Sequence, residues 1–372
     1  MRYYLIAGEA SGDLHGSNLM KAIKERDPNA EFRFYGGDLM KAVGTNLVKH
    51  FREMAFMGFF DVLANIRTIT RNLRICKEDI LNFKPDALIL IDYAGFNLRV
   101  ADFAHKNSIK TFYYISPKVW AWKKSRIEKL KKYTDKLFVI FPFEVEYFKQ
   151  NGLEVEFYGN PLMDSLAEFK RNNSNDEGFR KENNLDERPI IALLSGSRKH
   201  EISRCLPEMI EASKRFTEFQ FVVAGAPSIQ NEQYLEILQD SKVRIVYNQT
   251  YRLLENSFAA VVTSGTATLE TALFRVPQVV IFKTGGLTYH IGKLIISVRF
   301  FSLVNLIAER ELVKEFLQFN LARDIEAELR EICMNTKRRR EILDGYDQII
   351  SILGGDGTSN RIANRIWELA GK

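Results

Sequence analysis

Short apolar runs alternate with longer stretches of helical periodicity along the whole chain. Tyr3 to Ala7, Glu31 to Tyr35, Ala87 to Ile91, Lys110 to Ile115, Lys136 to Ile140 and Val155 to Tyr158 predict buried strands in the first half. Ile190 to Leu194, Gln220 to Ala224, Val243 to Val246, Ala259 to Val262 and Gln278 to Phe282 predict more in the second. Strands that alternate with helices build parallel sheets covered on both faces, which predicts an α/β protein. Polar, turn-rich residues from Lys170 to Gly178 separate the halves. The expected division is a Rossmann-like domain over 1–168, a linker or surface loop over 169–188, a second Rossmann-like domain over 189–346, and an amphipathic helix over 347–372 packed on another domain or subunit.

Two segments are more apolar than their setting requires. Phe59, Phe60, Leu63 and Ile66 recur at helical spacing beside the basic stripe Arg67, Arg71 and Arg74. Such a helix can lie in an anionic membrane surface. The second segment runs from His290 to Val304. A core helix is the bland explanation for either.

Length and composition narrow the class. A chain of 372 residues, 46% hydrophobic and 27% charged, supports two domains with a core each. No run reaches the roughly 20 apolar residues of a membrane span, and Met1-Arg2 leads straight into the first strand, so no signal peptide is expected. Cys76, Cys205 and Cys333 are odd in number and far apart, which fits a reducing cytoplasm. The five histidines show no metal-binding spacing and no Asp-x-Asp occurs, so a reaction without metal or cofactor is expected. A net charge of +6 suits nucleic acid, an anionic membrane or phosphorylated ligands. Without an RNA-binding aromatic signature, zinc finger or helix-turn-helix, nucleic acid is disfavoured.

Three loops carry the candidate chemistry. Gly8-Glu9-Ala10-Ser11-Gly12-Asp13-Leu14-His15-Gly16 follows the first strand, with glycines that admit a bound group and with Glu9, Asp13 and His15 at the mouth of the next helix. Its glycines are four apart, unlike a dinucleotide fingerprint, and no Gly-Lys-Ser/Thr follows. Ser195-Gly196-Ser197-Arg198 turns from a strand into a helix that carries Glu201, and its small residues and arginine form an anion site. Ser264-Gly265-Thr266 does the same, with Glu270 one turn deeper where a carboxylate can accept ribose hydroxyls. Packing alone explains any one such turn; two in one half favour a nucleotide.

Gly8-Glu9-Ala10-Ser11-Gly12-Asp13, Ser116-Pro117-Lys118-Val119-Trp120-Ala121-Trp122, Phe141-Pro142-Phe143-Glu144, Ser195-Gly196-Ser197-Arg198, Ser264 to Glu270 and Asn305-Leu306-Ile307-Ala308 occur in an order that resembles the lipid A disaccharide synthases. The resemblance spans nearly the whole chain. It implies a GT-B fold, with two Rossmann-like domains facing across a cleft. It also implies an inverting glycosyltransferase that joins UDP-2,3-diacylglucosamine to 2,3-diacylglucosamine 1-phosphate through a β-1,6 bond. Members of the family are peripheral on the cytoplasmic face of the inner membrane of Gram-negative bacteria, and some dimerise by exchanging C-terminal segments. Another UDP-sugar enzyme of this architecture, such as a UDP-N-acetylglucosamine 2-epimerase, is the nearest rival; a nucleotide-sensing or adaptor protein without catalysis is the next.

The resemblance puts Ser11, Gly12, Ser195, Gly196, Ser197, Glu201, Ser264, Gly265, Thr266, Glu270, Asn305 and Gln318 against substrate. Arg198 then stabilises the leaving diphosphate. Trp120 and Trp122 stack on sugar, shape an acyl pocket or pack in a core. One departure bears on mechanism: where the family has Ile-Asp-Ala-Pro-Asp-Phe-Asn, this chain reads Ile91-Asp92-Tyr93-Ala94-Gly95-Phe96-Asn97. Gly95 cannot act as a base, which leaves Asp92, Glu9, Asp13 and His15, with Asp92 preferred at the end of a central strand. The alternative for Asp92 is to cap the helix that begins near Phe96.

Overall fold

The computed structural model describes residues 1–54, 66–119, 125–172, 178–227, 229–239, 241–285 and 299–371. Its strands are β1 (Arg2–Ala7), β2 (Glu31–Gly36), β3 (Asn46–His50), β4 (Ala87–Ile91), β5 (Thr111–Tyr114), β6 (Lys136–Val139), β7 (Glu156–Phe157), β8 (Ile190–Leu194), β9 (Gln220–Gly225), β10 (Arg244–Tyr247), β11 (Ser257–Thr263), β12 (Gln278–Phe282) and β13 (Glu315–Leu317). They form two parallel sheets, ordered β3-β2-β1-β4-β5-β6-β7 and β10-β9-β8-β11-β12-β13. Each is doubly wound, and the order reverses between β1 and β4 in one sheet and between β8 and β11 in the other. At such a switch point two loops leave the carboxyl edge in opposite directions and open a crevice.

The chain divides into two compact units, Met1–Ser165 with Leu353–Lys372, and Leu166–Ile352. In the first, Tyr3, Leu5 and Ala7 of β1 face Leu19, Met20 and Ile23 of α1 (Ala10–Arg26) together with Ile362 and Ile366. Tyr4 and Ile6 point the other way, onto Cys76 and Ile80 of α3 (Ile66–Phe83) and Val100 and Ala101 of α4 (Ala94–Lys106); a short α2 (Asp38–Val43) precedes these two. In the second unit Ile190, Ala192 and Leu194 pack with Val222, Val246 and Leu253. Burial on both faces is why the central strands read as unbroken apolar runs.

β3 and β13 carry no apolar run because they are partly exposed edge strands. The first helix begins at Ala10, so Asp13, His15 and Gly16 lie inside it. The described residues of the 169–188 stretch are anchored on both sides. The helix Leu162–Asn172 runs through the unit boundary, Phe169 meets the rings of Tyr251 and Phe274 at 5.5 and 5.6 Å, and Phe179 is buried. Aromatic anchoring ties Phe169 and Phe179 to the second unit.

The C-terminal stretch is two helices, Thr336–Leu353 and Thr358–Ala370, broken where Gly354 and Gly357 take φ of +82° and +83°. The last helix packs on α1 of its own chain, with the Arg26 guanidinium 4.2 Å above the Trp367 ring. Asp164 caps it, accepting from the N–H groups of Gly357, Thr358 and Ser359 at 2.6, 3.0 and 2.7 Å.

Candidate active site

Ala7 pairs with Ile91, so Gly8-Glu9 and Asp92-Tyr93 leave the first sheet side by side. The glycines here admit protein rather than ligand: a Cβ on Gly8 would lie 2.2 Å from the Tyr93 ring, and one on Gly16 would lie 2.7 Å from the Met40 sulfur. Glu9 occupies the N-cap position with extended backbone, and its charge reaches the Tyr93 hydroxyl.

 Ser11 and Gly12 fall in the first turn of α1, Ser11 exposed and Gly12 against Ala7.

Two of the four base candidates are otherwise engaged. The buried Asp13 carboxylate accepts from the N–H groups of Gly37, Leu39 and Met40 at 2.7, 3.1 and 3.0 Å, which makes it the cap of α2. His15 is buried, and desolvation lowers its pKa to about 4 against the opposing pull of Asp164. It is neutral at physiological pH.

Asp92 and Tyr93 take φ of +43° and +47°, a left-handed pair without glycine. Each such residue costs about 1–3 kcal/mol and needs surrounding contacts to hold it. The Asp92 carbonyl accepts from the Tyr113 hydroxyl at 2.5 Å and from Asn97 Nδ2 at 2.9 Å, while its N–H donates to Tyr114. The Tyr93 hydroxyl donates to the Met54 carbonyl at 2.8 Å. Burial pushes the Asp92 carboxyl above the ordinary carboxylate range, and Lys118, the Tyr93 N–H and Arg126 pull it back. The following helix starts at Ala94 with Tyr93 as its N-cap, so Asp92 is not its cap. A Cβ on Gly95 would meet nothing within 4 Å.

β5 lies beside β4, and its exit loop is anchored. The buried Ser116 hydroxyl donates to the Glu144 carboxylate at 2.6 Å, and Glu144 also accepts from the N–H groups of Ile140 and Phe141. Val119 is buried and Lys118 exposed. Trp120 and Trp122 lie outside the described residues.

In the second sheet Leu194 pairs with Val262, which brings Ser195–Arg198 and Ser264–Thr266 together at the switch point. Gly196 has φ of +109°, and Glu201 folds back onto it, accepting from the Ser197 N–H at 3.1 Å and from Arg198 Nη1 at 3.0 Å. Arg198 stays substantially exposed. Ser195 is fully buried at the end of β8. The Ser264 hydroxyl donates to the Phe301 carbonyl at 2.7 Å, and Gly265 and Thr266 open the helix Thr266–Leu273. Glu270 accepts from the Tyr251 hydroxyl at 2.9 Å, and burial raises its pKa.

Asn305 departs from expectation. It is fully buried, donates to the Val313 carbonyl and the Glu315 carboxylate at 2.8 Å each, and accepts from the N–H groups of Leu312 and Val313 at 2.8 and 3.0 Å. An amide has two donors and two acceptor sites, so nothing remains for a ligand. Glu315 also accepts from Phe301 N–H, Ser302 N–H and the Ser302 hydroxyl, tying β13 to the segment that Ser264 holds. Gln318 reaches back to the Thr284 N–H and carbonyl at 3.1 and 2.9 Å, beyond the ends of β12 and β13. Glu144, Ser302, Glu315, Tyr113 and Tyr251 escaped sequence reasoning. Of these only Glu144 lies in one of the motifs that carry the resemblance, and nothing local marked the other four.

On α3 the buried face is Asn72, Cys76 and Ile80, and Arg67, Arg71 and Arg74 are exposed with Ile66 and Ile75. Phe59, Phe60 and Leu63 lie outside the described residues, as do 290–298 of the second apolar segment; Leu303 and Val304 are buried in the helix Leu303–Ala308. Among the described residues no helix is long and apolar enough to cross a membrane, and no group of three or more His, Cys, Asp or Glu is placed to hold a metal.

Two doubly wound parallel sheets, each with loops gathered at its switch point, place the protein in the GT-B fold class. The same fold is seen in UDP-GlcNAc 2-epimerase from Neisseria meningitidis bound to UDP-GlcNAc (TM-score 0.69, 11% identity, 99% of this chain and 100% of that one). It is also seen in the Methanocaldococcus jannaschii enzyme in complex with UDP-GlcNAc and UDP (TM-score 0.68, 13% identity, 99% and 100%). At such identities the likeness concerns the fold alone. The family model for lipid-A-disaccharide synthetase matches residues 3–358. Lipid-A-disaccharide synthases of Syntrophus aciditrophicus and Geobacter metallireducens are 38% and 36% identical, over 96% and 100% of this chain and 95% and 98% of theirs. The chain belongs to the lipid-A-disaccharide synthetase family, whose glycosyltransferases serve lipid A biosynthesis.

Proposed function

We propose that the protein transfers the sugar of UDP-2,3-diacylglucosamine to the 6-hydroxyl of 2,3-diacylglucosamine 1-phosphate, inverting the anomeric carbon and releasing UDP. The observation that carries the donor half is the pairing of Leu194 with Val262, which sets Arg198 and the start of the Thr266–Leu273 helix on one edge. There the exposed guanidinium and the helix-terminal N–H groups of Gly265 and Thr266 receive the diphosphate as charge grows on it. Glu270 retains a carboxylate oxygen for a ribose hydroxyl, and Gln318 presents its amide at the same edge. Asn305 acts by shaping this edge.

Asp92 takes the acceptor proton. Its raised pKa brings it closer to the working pH of a general base, and the open space at Gly95 admits a hydroxyl. Asp13 is engaged with three backbone donors, and neutral His15 is enclosed, which leaves Glu9 as the alternative. The test is UDP release from the diacylated donor with and without acceptor, with mass spectrometry of the product. Acceptor-dependent release and a disaccharide 1-phosphate are expected; conversion of the donor alone would be the epimerase result.

The substrates carry acyl chains, so the enzyme works at an anionic membrane surface on the cytoplasmic side. The exposed Arg67, Arg71 and Arg74 support this, each basic residue near such a surface contributing about 1 kcal/mol. Replacing all three by glutamate should release the protein from anionic vesicles while UDP binding persists. Dimerisation by exchange of C-terminal segments would remake the contacts of the Thr358–Ala370 helix on α1 with a second copy, and sedimentation at graded concentrations tests it.

A further inference from the structure

We infer that Lys118 recognises the phosphate of the acceptor and thereby sets which acceptors the enzyme uses. This rests on the acceptor reading above and adds the residue that reads the anomeric group.

The first step is the chemistry of the acceptor. The attacking hydroxyl is on C6, and a single ring oxygen joins C5 to C1, so a base that reaches the C6 hydroxyl has the C1 phosphate close by. A phosphate dianion beside an ionised aspartate is repelled and drives the carboxyl toward its protonated, inactive form. A cation is required on that side of the site.

The second step is what surrounds Asp92. Two cations, Lys118 and Arg126, act on its carboxyl. Arg126 opens the helix Ser125–Tyr133 and has interactions of its own. Lys118 is exposed on the exit loop of β5, the strand beside β4, and it makes no hydrogen bond or ion pair with the described residues. Its loop is fixed on both sides. Ser116 is tied to the buried Glu144, and Val119, itself buried, accepts from the Tyr147 hydroxyl at 3.4 Å. An exposed lysine on an anchored loop, at the strand exit next to that of Asp92, offers a point charge for phosphate. The room at Gly95 lies on the strand exit next to it.

The experiment compares two acceptors, 2,3-diacylglucosamine 1-phosphate and the same lipid with a free anomeric hydroxyl, in wild type, Lys118→Ala and Lys118→Arg. Loss of one charge-assisted contact should raise KM for the phosphorylated acceptor about tenfold in Lys118→Ala. Measured at a pH well above the acidic limb of the profile, where Asp92 is fully ionised, activity on the free-hydroxyl acceptor, kcat and UDP affinity should be unchanged, and Lys118→Arg should restore most of the loss. A KM that is unchanged, or raised equally for both acceptors, overturns the assignment. A fall in kcat with both acceptors at constant KM that persists at that pH also overturns it, because Lys118 would then serve the chemical step rather than the phosphate. Wild type that releases no UDP in response to either acceptor would fail the function reading itself, and this proposal with it. Lys118 is exposed, so thermal melting of both variants should match wild type.

Discussion

The Ser116 hydroxyl lies 2.6 Å from the Glu144 carboxylate, joining two sequence strings that are 28 residues apart. Glu144 also serves the backbone N–H groups of Ile140 and Phe141, so one buried carboxylate fixes the exit loops of β5 and β6 together. Glu144→Ala should cost about 2–4 kcal/mol because it strands three donors, and Ser116→Ala should cost about 1 kcal/mol. Urea denaturation of the two variants measures the difference. Equal costs would show that the backbone donors contribute nothing.

Arg198→Ala should lower turnover about a hundredfold while leaving stability within about 1 kcal/mol, because its pair with Glu201 is solvent-exposed and its charge serves the leaving diphosphate. Turnover and melting temperature measured on one preparation decide this. A folded variant with full activity places the diphosphate elsewhere.

Asp92→Asn should keep donor binding and lose turnover. In wild type the acidic limb of kcat/KM should fall above the ordinary carboxylate value of 3.8, since only the ionised carboxyl is a base and burial raises its pKa. Stability should move the opposite way to activity. A carboxyl with a raised pKa in the fold favours folding most when protonated, and that contribution is lost as pH rises through the folded value. Asp92→Asn should therefore melt higher than wild type at neutral pH, with the gain vanishing below pH 3.8.

His15 predicts an acid-sensitive step. Its pKa falls from 6.5 to about 4 on folding, so the unfolded chain takes up a proton that the folded one refuses. The stability it supports is complete above pH 6.5 and is lost as pH falls toward 4, by up to about 3 kcal/mol. Denaturation midpoints at pH 7.5 and 4.5 should differ less in His15→Leu than in wild type. An identical difference would assign the acid step to other groups.

Asn305→Ala should destabilise by about 2–4 kcal/mol, since it leaves the buried N–H groups of Leu312 and Val313 unpaired. Gln318→Ala, at the sheet edge, should cost about 1 kcal/mol or less. UDP titration of each variant separates shaping from contact: Gln318→Ala should weaken UDP without unfolding, whereas a stable Asn305→Ala with weakened UDP would return Asn305 to the ligand.

The sequence by itself determined the two-sheet α/β architecture, because strands buried on both faces must be apolar throughout and so announce themselves as runs. It also determined where the candidate loops lie, since Ser195–Arg198 and Ser264–Thr266 each follow such a run. Edge strands β3 and β13 were illegible for the converse reason: with one side open, Asn46–His50 and Glu315–Leu317 need no apolar pattern. Only the tertiary structure decided what the polar residues do. Asp13 and Glu9 read from the sequence as two carboxylates of one loop, and nothing local says that Asp13 caps α2, 24 residues onward at Gly37. Asn305 reads as a ligand contact until Val313 and Glu315 fold against it. Strand pairing places Asp92 beside Gly8 and brings the loop of Lys118 to the same edge, and strand order is a long-range property that local periodicity does not encode.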